Sequence, residues 1–223
     1  MRRVLRENGL SIVLGVLFLV FLTGQLLTGH RVYNEERRGH GESSVSLGDF
    51  ATSGAFAGAV FENWESEFLQ MFGYVLLSAY LFQKGSAESK KLDEPEAIDD
   101  DPRTVTGKNL ANAPGPVRRG GLVLRLYEHS LSIAFGLLFL ASMLAHAAGG
   151  VTHYNEEQLA HGADPISFGA YLTTARMWEE SFQNWQSEFL AVGAIVVLSI
   201  FLRERGSPES KPVYAPHSHT GTS

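Results

Sequence analysis

Tyr33-Asn34-Glu35-Glu36, then His40-Gly41, then Asn63-Trp64-Glu65-Ser66-Glu67-Phe68-Leu69: the chain contains this series twice. Tyr154-Asn155-Glu156-Glu157, His161-Gly162 and Asn184-Trp185-Gln186-Ser187-Glu188-Phe189-Leu190 repeat it 121 positions later (154 − 33), without a gap. Solenoid units run to about 20–50 residues. The longer period here is that of a pair of long helices with their connections.

The apolar runs flanking the motifs say where those helices lie. Residues 10–27 are uncharged and rich in Leu, Val, Ile and Phe, and residues 131–150 are similar apart from His146. Residues 68–82 and 189–202 are shorter. They reach the roughly 20 residues needed to cross a hydrocarbon core only if they begin at Trp64 and Trp185. Trp and Tyr collect at membrane interfaces, which makes Trp64, Trp185, Tyr33 and Tyr154 candidate interfacial anchors. The expected fold is all-α: a polytopic integral membrane protein with four transmembrane helices, arranged as two parallel tandem helical hairpins that form a four-helix bundle. Two spans per copy is an even number, so both copies enter the membrane in the same sense, about a pseudo-two-fold axis along its normal. Gly15, Gly24, Gly73, Gly136, Ala145 and Gly193 are the small residues expected to let helices approach.

Positive residues avoid the loops between paired spans. Of 18 Lys and Arg, only Arg31, Arg37, Arg38 and Arg176 fall there. The positive-inside rule then places both termini and the central connection on the cytoplasmic side, and two acidic loops outside. Arg2, Arg3 and Arg6 before an apolar run resemble the start of a signal peptide, but no small-residue cleavage site follows Gln25. The run's duplicate also lies mid-chain, so it reads as a retained helix.

The first helix is expected from about residue 9 to residue 40, capped by Gly41, with Gly162 in the same part in the second copy. Roughly 45–50 Å long at 1.5 Å per residue, it outreaches the roughly 30 Å core and projects outside. Short helices opened by Ser46 and Ser167 follow, then second long helices over about 55–84 and 176–205. The domain plan is a first hairpin repeat over 1–91, a cytoplasmic disordered linker over 92–121, a second hairpin repeat over 122–212 and a disordered tail over 213–223. The linker carries Leu92-Asp93-Glu94-Pro95-Glu96, Asp99-Asp100-Asp101-Pro102 and Pro114-Gly115-Pro116, which offer little apolar surface to offset the entropy of ordering.

Leu5-Arg6-Glu7-Asn8-Gly9-Leu10-Ser11, Tyr33-Asn34-Glu35-Glu36, Asn63 to Leu69 and Gly85-Ser86-Ala87-Glu88-Ser89-Lys90 together resemble an uncharacterised bacterial membrane-protein family, a domain of unknown function. The likeness covers residues 4–91 and again 125–212, here as two tandem copies. Tyr127-Glu128-His129-Ser130 departs from the pattern at the start of the second copy. The resemblance implies a bacterial plasma (inner) membrane location and no assigned activity, cofactor or catalytic residue.

Three sets of residues could carry chemistry. Glu36 with His40, and Glu157 with His161, are spaced i, i+4 on a helix face, and could supply four ligands to a metal ion, Zn²⁺, Fe²⁺ or Mn²⁺. The simpler reading is a pair of solvated helix ends, where His also suits the dipole. Glu67 and Glu188 follow the tryptophans. Within the bilayer they would mark an ion path or a buried partner; one turn further out they would sit among headgroups, and spacing alone leaves both readings open. His129 and His146 have no histidine counterparts 121 positions away, which speaks against a paired haem site. His217 and His219 read as part of a solvated tail. The polar residues of the repeated motif are Asn34, Glu35, Glu36, Asn63, Asn155, Glu156, Glu157 and Asn184.

The absence of cysteine excludes disulfides and thiolate metal sites. A net charge of −6 with no basic face speaks against nucleic acid. No Walker loop, nucleophile elbow or H-E-x-x-H motif is present. The chain is therefore expected to be a membrane protein without catalytic residues, acting as an envelope scaffold or interaction protein. The alternatives are a small transporter or channel using Glu67 and Glu188, and a metal-binding membrane protein. The expected partners are the lipid bilayer and either a second copy or an envelope protein; no cofactor beyond a metal ion is expected.

Overall fold

Long apolar runs without proline fold as long helices, and four of them dominate the chain. In the computed structural model, which describes residues 2–92 and 94–222, these are α1 (Arg2–Gly39), α3 (Gly54–Tyr80), α7 (Ser130–Ala160) and α9 (Ala175–Phe201). Short helices join them: α2 (Leu47–Ala51), α4 (Gly107–Asn112), α5 (Gly115–Arg119), α6 (Gly121–Glu128) and α8 (Phe168–Tyr171), with 3₁₀ turns at Ala97–Asp99 and Pro102–Thr104. The protein is all-helical, 71% helix, with no strand among the described residues. Met1 of the basic start, Asp93 of the linker and Ser223 of the tail lie outside the described residues.

Three helices are long and apolar enough to cross a membrane: Arg3–Gly39, Ser130–Ala160 and Ala175–Phe201. α3, the fourth expected span, is not among them. It has 27 residues, but Asn63, Glu65, Glu67 and Gln70 dilute its apolar stretch on the N-terminal side. On α1, Leu10 is 75% exposed and Phe21 69%. A helix with so much uncovered apolar surface is matched to a lipid solvent and poorly matched to water.

The helix ends follow local chemistry. α1 begins earlier than the apolar run requires and kinks at Asn8 (φ −128°, ψ 17°), whose amide donates to the Val4 carbonyl at 3.3 Å. Gly41 (φ +75°) and Gly162 (φ +73°) turn the chain after α1 and α7, in the left-handed region that a β-carbon disfavours. Ser46 accepts from the Asp49 amide and Ser167 from the Ala170 amide, capping α2 and α8. α3 and α9 stop at Tyr80 and Phe201, short of residues 84 and 205. Serine hydroxyls beyond the helix ends take backbone N–H groups there: Gln83 donates to Ser89 Oγ and Glu204 to Ser210 Oγ, each at 2.9 Å.

The chain divides into two compact units, Met1–Phe61 with Ala145–Thr174, and Glu62–Leu144 with Ala175–Ser223. In the first, the N-terminal turns of α3 lie against α7 through glycine. A β-carbon on Gly54 would fall 2.6 Å from Thr152 Cβ and 2.7 Å from the Gly149 carbonyl, and one on Gly149 would overlap the Gly58 backbone. This Gly-x-x-x-Gly spacing brings backbones together as small residues do between membrane helices. The Phe50 ring covers Gly29, and Tyr171 covers Gly150, the same contact 121 positions on. In the second unit, aromatic rings cover two of the glycines expected at helix contacts: Phe72 on Gly136 and Phe189 on Gly73. Gly15, Gly24 and Gly193 have no side-chain neighbour within 4 Å of an added β-carbon.

Candidate functional site

In the first unit the repeated Tyr-Asn-Glu-Glu motif fixes the connection that follows each long helix. Asn34 accepts from the Val45 amide at 2.7 Å and donates to the Val45 carbonyl at 3.1 Å. Asn155 holds Ile166 in the same two-way grip, at 2.8 and 2.9 Å. His30 also reaches the Val45 carbonyl, at 2.9 Å. Tyr33 packs on Phe50 and donates to the Glu156 carboxylate at 3.3 Å, while Tyr154 packs on Tyr171. Glu35 and Glu36 are exposed, and Glu157 meets His153 Nε2 at 3.1 Å.

The four residues expected as metal ligands are only partly brought together. The His40 and His161 rings lie edge to face with their centres 5.8 Å apart. Each Nδ1 is bonded to a backbone carbonyl of its own helix, His40 to Glu36 at 3.0 Å and His161 to Glu157 at 2.7 Å. A carbonyl only accepts, so each Nδ1 carries the proton and each Nε2 keeps its lone pair.

In the second unit the Asn-Trp element joins α3 to α9. Trp185 donates its indole N–H to Glu65 at 3.0 Å, and the Asn184 amide donates to the Glu62 carboxylate. Gln70 donates to the Glu188 carbonyl at 2.8 Å. Glu65 is fully buried, whereas Glu67 is exposed and Glu188 half-buried. Glu67 lies within electrostatic range of Glu188. Trp185 packs edge-on against Trp178, Phe182 and Phe139; Trp64 is half-buried and Asn63 exposed. Glu65 is the residue that sequence reasoning missed. The available signal was an asymmetry, since Gln186 stands 121 positions after Glu65.

The ends of α3 and α9 in this unit carry a second polar centre. Tyr74 donates its hydroxyl to Glu88 Oε2, and Glu88 Oε1 is buried with no donor directed at it among the described residues. Burial, with the neighbouring Glu209 carboxylate, raises the Glu88 carboxyl above its ordinary range against the opposing pull of Tyr74. A hydrogen bond between Glu88 and Glu209 forms only when one of them holds a proton. Both line a cavity of about 880 Å³ together with Glu96, Asp99, Glu128 and Lys90. Beside it Lys211 is 1% exposed, its ammonium 2.5–3.3 Å from the carbonyls of Gly85, Pro216, His217 and His219. The loss of hydration, followed by the nearby Arg203 charge, lowers the Lys211 pKa. His217 Nδ1 bonds the Ile200 carbonyl at 3.1 Å. His146 is buried in the first unit, and His129 is exposed in the second.

Three pairs of residues 121 positions apart thus come together: His40 with His161, Glu67 with Glu188, and Glu88 with Glu209. No curated protein and no solved structure matches the chain. The family described as "Domain of unknown function (DUF6766)" matches residues 1–222, and the chain belongs to it.

Proposed function

We propose that the chain is an integral membrane protein of four spans, α1, α3, α7 and α9, built as two tandem hairpins about a pseudo-two-fold axis along the membrane normal. In this reading it is a non-enzymatic scaffold or interaction protein of a bacterial plasma membrane. The observation that carries the architecture is the meeting of equivalent residues: partners 121 apart lie near one another at His40/His161, Glu67/Glu188 and Glu88/Glu209. Parallel hairpins bring equivalent positions to the axis at the same depth, whereas inverted repeats would bring them to opposite depths. α3 enters as the fourth span because its polar residues have partners on a neighbouring helix. Trp185 binds Glu65 and Asn184 binds Glu62, which lowers the cost of placing them near the bilayer.

The scaffold reading rests on the same bonds, since they occupy the α3–α9 polar groups with holding helices together. Cysteines introduced at Glu42 and Asp164 should react with an impermeant thiol reagent on intact cells, and one at Asp100 should not. Reconstituted protein should pass protons and monovalent cations no faster than empty vesicles. Protein-dependent flux that disappears in Glu67→Gln/Glu188→Gln would replace the scaffold with the second reading, a small transporter. The proximity of Glu67 to Glu188 is what favours that alternative.

A further inference from the structure

α1 and α7 end side by side in the first unit, each followed at once by a histidine and a left-handed glycine: His40-Gly41 and His161-Gly162. Their ring centres are 5.8 Å apart. An imidazole that binds through Nε2 at about 2.0–2.1 Å holds the ion about 3.2 Å from its ring centre, so two rings sharing one ion at angles of about 110–130° lie about 5.2–5.8 Å apart. Both Nδ1 atoms are already bonded to carbonyls of their own helices. That bond is the orienting contact seen behind metal-binding histidines, and it leaves Nε2 as the open donor on each ring. The site also faces two helix C-termini, whose partial negative charge favours a cation.

We infer that His40 and His161 form a two-imidazole site for a divalent transition-metal ion of the Zn²⁺, Cu²⁺ and Ni²⁺ class, with water completing the coordination. Imidazole nitrogen suits these ions, whereas Mg²⁺ and Ca²⁺ prefer oxygen. The donor set differs from the four residues that spacing alone suggests, because Glu157 is held by His153. An ion there ties the ends of two long helices and hardens the contact between the repeated motifs. The inference stands apart from the scaffold role and survives if the protein proves to be a transporter.

The test is calorimetric titration of Zn²⁺ and Ni²⁺ into the full chain in detergent, in a His217→Ala/His219→Ala background that removes the tail imidazoles. One ion per chain is expected. His40→Ala and His161→Ala should each weaken binding at least tenfold and abolish a Zn²⁺-dependent rise in Tm. His40→Gln and His161→Gln, checked for unchanged helix content by circular dichroism, guard against loss through misfolding. Absence of binding in that background, or unchanged affinity in the double Gln variant, overturns the assignment.

Discussion

The indole N–H of Trp185 donates to the carboxylate of Glu65, a residue with no exposed surface. The tryptophan expected to serve as a membrane anchor is thereby also the partner of a buried acid on the neighbouring helix. Removing the acid strands a donor. Glu65→Leu should lower unfolding stability by about 1–3 kcal/mol, the cost of an unsatisfied buried group. Glu65→Gln, which still offers an acceptor, should cost less, and Glu67→Gln at an exposed site should stay within about 0.5 kcal/mol. Thermal unfolding of the purified protein in one detergent ranks the three; an equal effect at positions 65 and 67 would remove the distinction.

Asn34 and Asn155 perform one task at two places. Each replaces two backbone hydrogen bonds of a loop residue, Val45 or Ile166, with side-chain bonds. Alanine at either position should cost about 1–2 kcal/mol. More diagnostically, the amide of Val45 should lose hydrogen-exchange protection in Asn34→Ala alone, and that of Ile166 in Asn155→Ala alone. Protection unchanged in both variants would show that the loops are held by something else.

These two asparagines mark how far the sequence could be read. The four long helices, their glycine ends and the serine-opened short helices are legible because they depend on local periodicity and capping. The asparagine grips are not, since a two-way bond to a residue 11 positions away leaves no pattern beyond recurrence. Glu67 drew attention by repeating, while Glu65 does not repeat and is the buried one. Recurrence in the sequence marks shared residues, but the contact between α3 and α9 is also built from residues that do not recur. Gly54 and Gly58 were readable as a close-approach spacing. They were obscured because their counterparts are Ala175 and Glu179.

Glu88 should give the polar centre beyond α3 and α9 a pH dependence. Its folded pKa lies above the ordinary carboxyl value of 4.5, through burial first and the Glu209 charge as well. Between the two values the folded chain holds the proton more tightly than the unfolded chain, so stability falls as pH rises through that interval. Glu88→Gln removes the titration and supplies an N–H toward Glu209. The variant should equal or exceed the wild type in stability at neutral pH, and the difference should shrink on acidification toward 4.5. A pH-independent difference in Tm would contradict the assignment.

Lys211 should be far more sensitive than its counterpart Lys90. Lys211→Met leaves carbonyls of Gly85, Pro216, His217 and His219 without their buried donor, whereas Lys90 pairs with the more exposed Asp99 at 2.6 Å. A loss of about 2 kcal/mol or more is expected for the first, and under about 1 kcal/mol for Lys90→Met. Limited proteolysis over residues 212–222 reports the change directly: rapid cleavage in Lys211→Met, and wild-type resistance in Lys90→Met.

The bond from Lys211 to the Gly85 carbonyl spans 126 positions. During synthesis the turn after α3 therefore waits for its Lys211 partner until residue 211 has left the ribosome. A ribosome that stalls before residue 211 releases a chain whose Gly85 turn is left open.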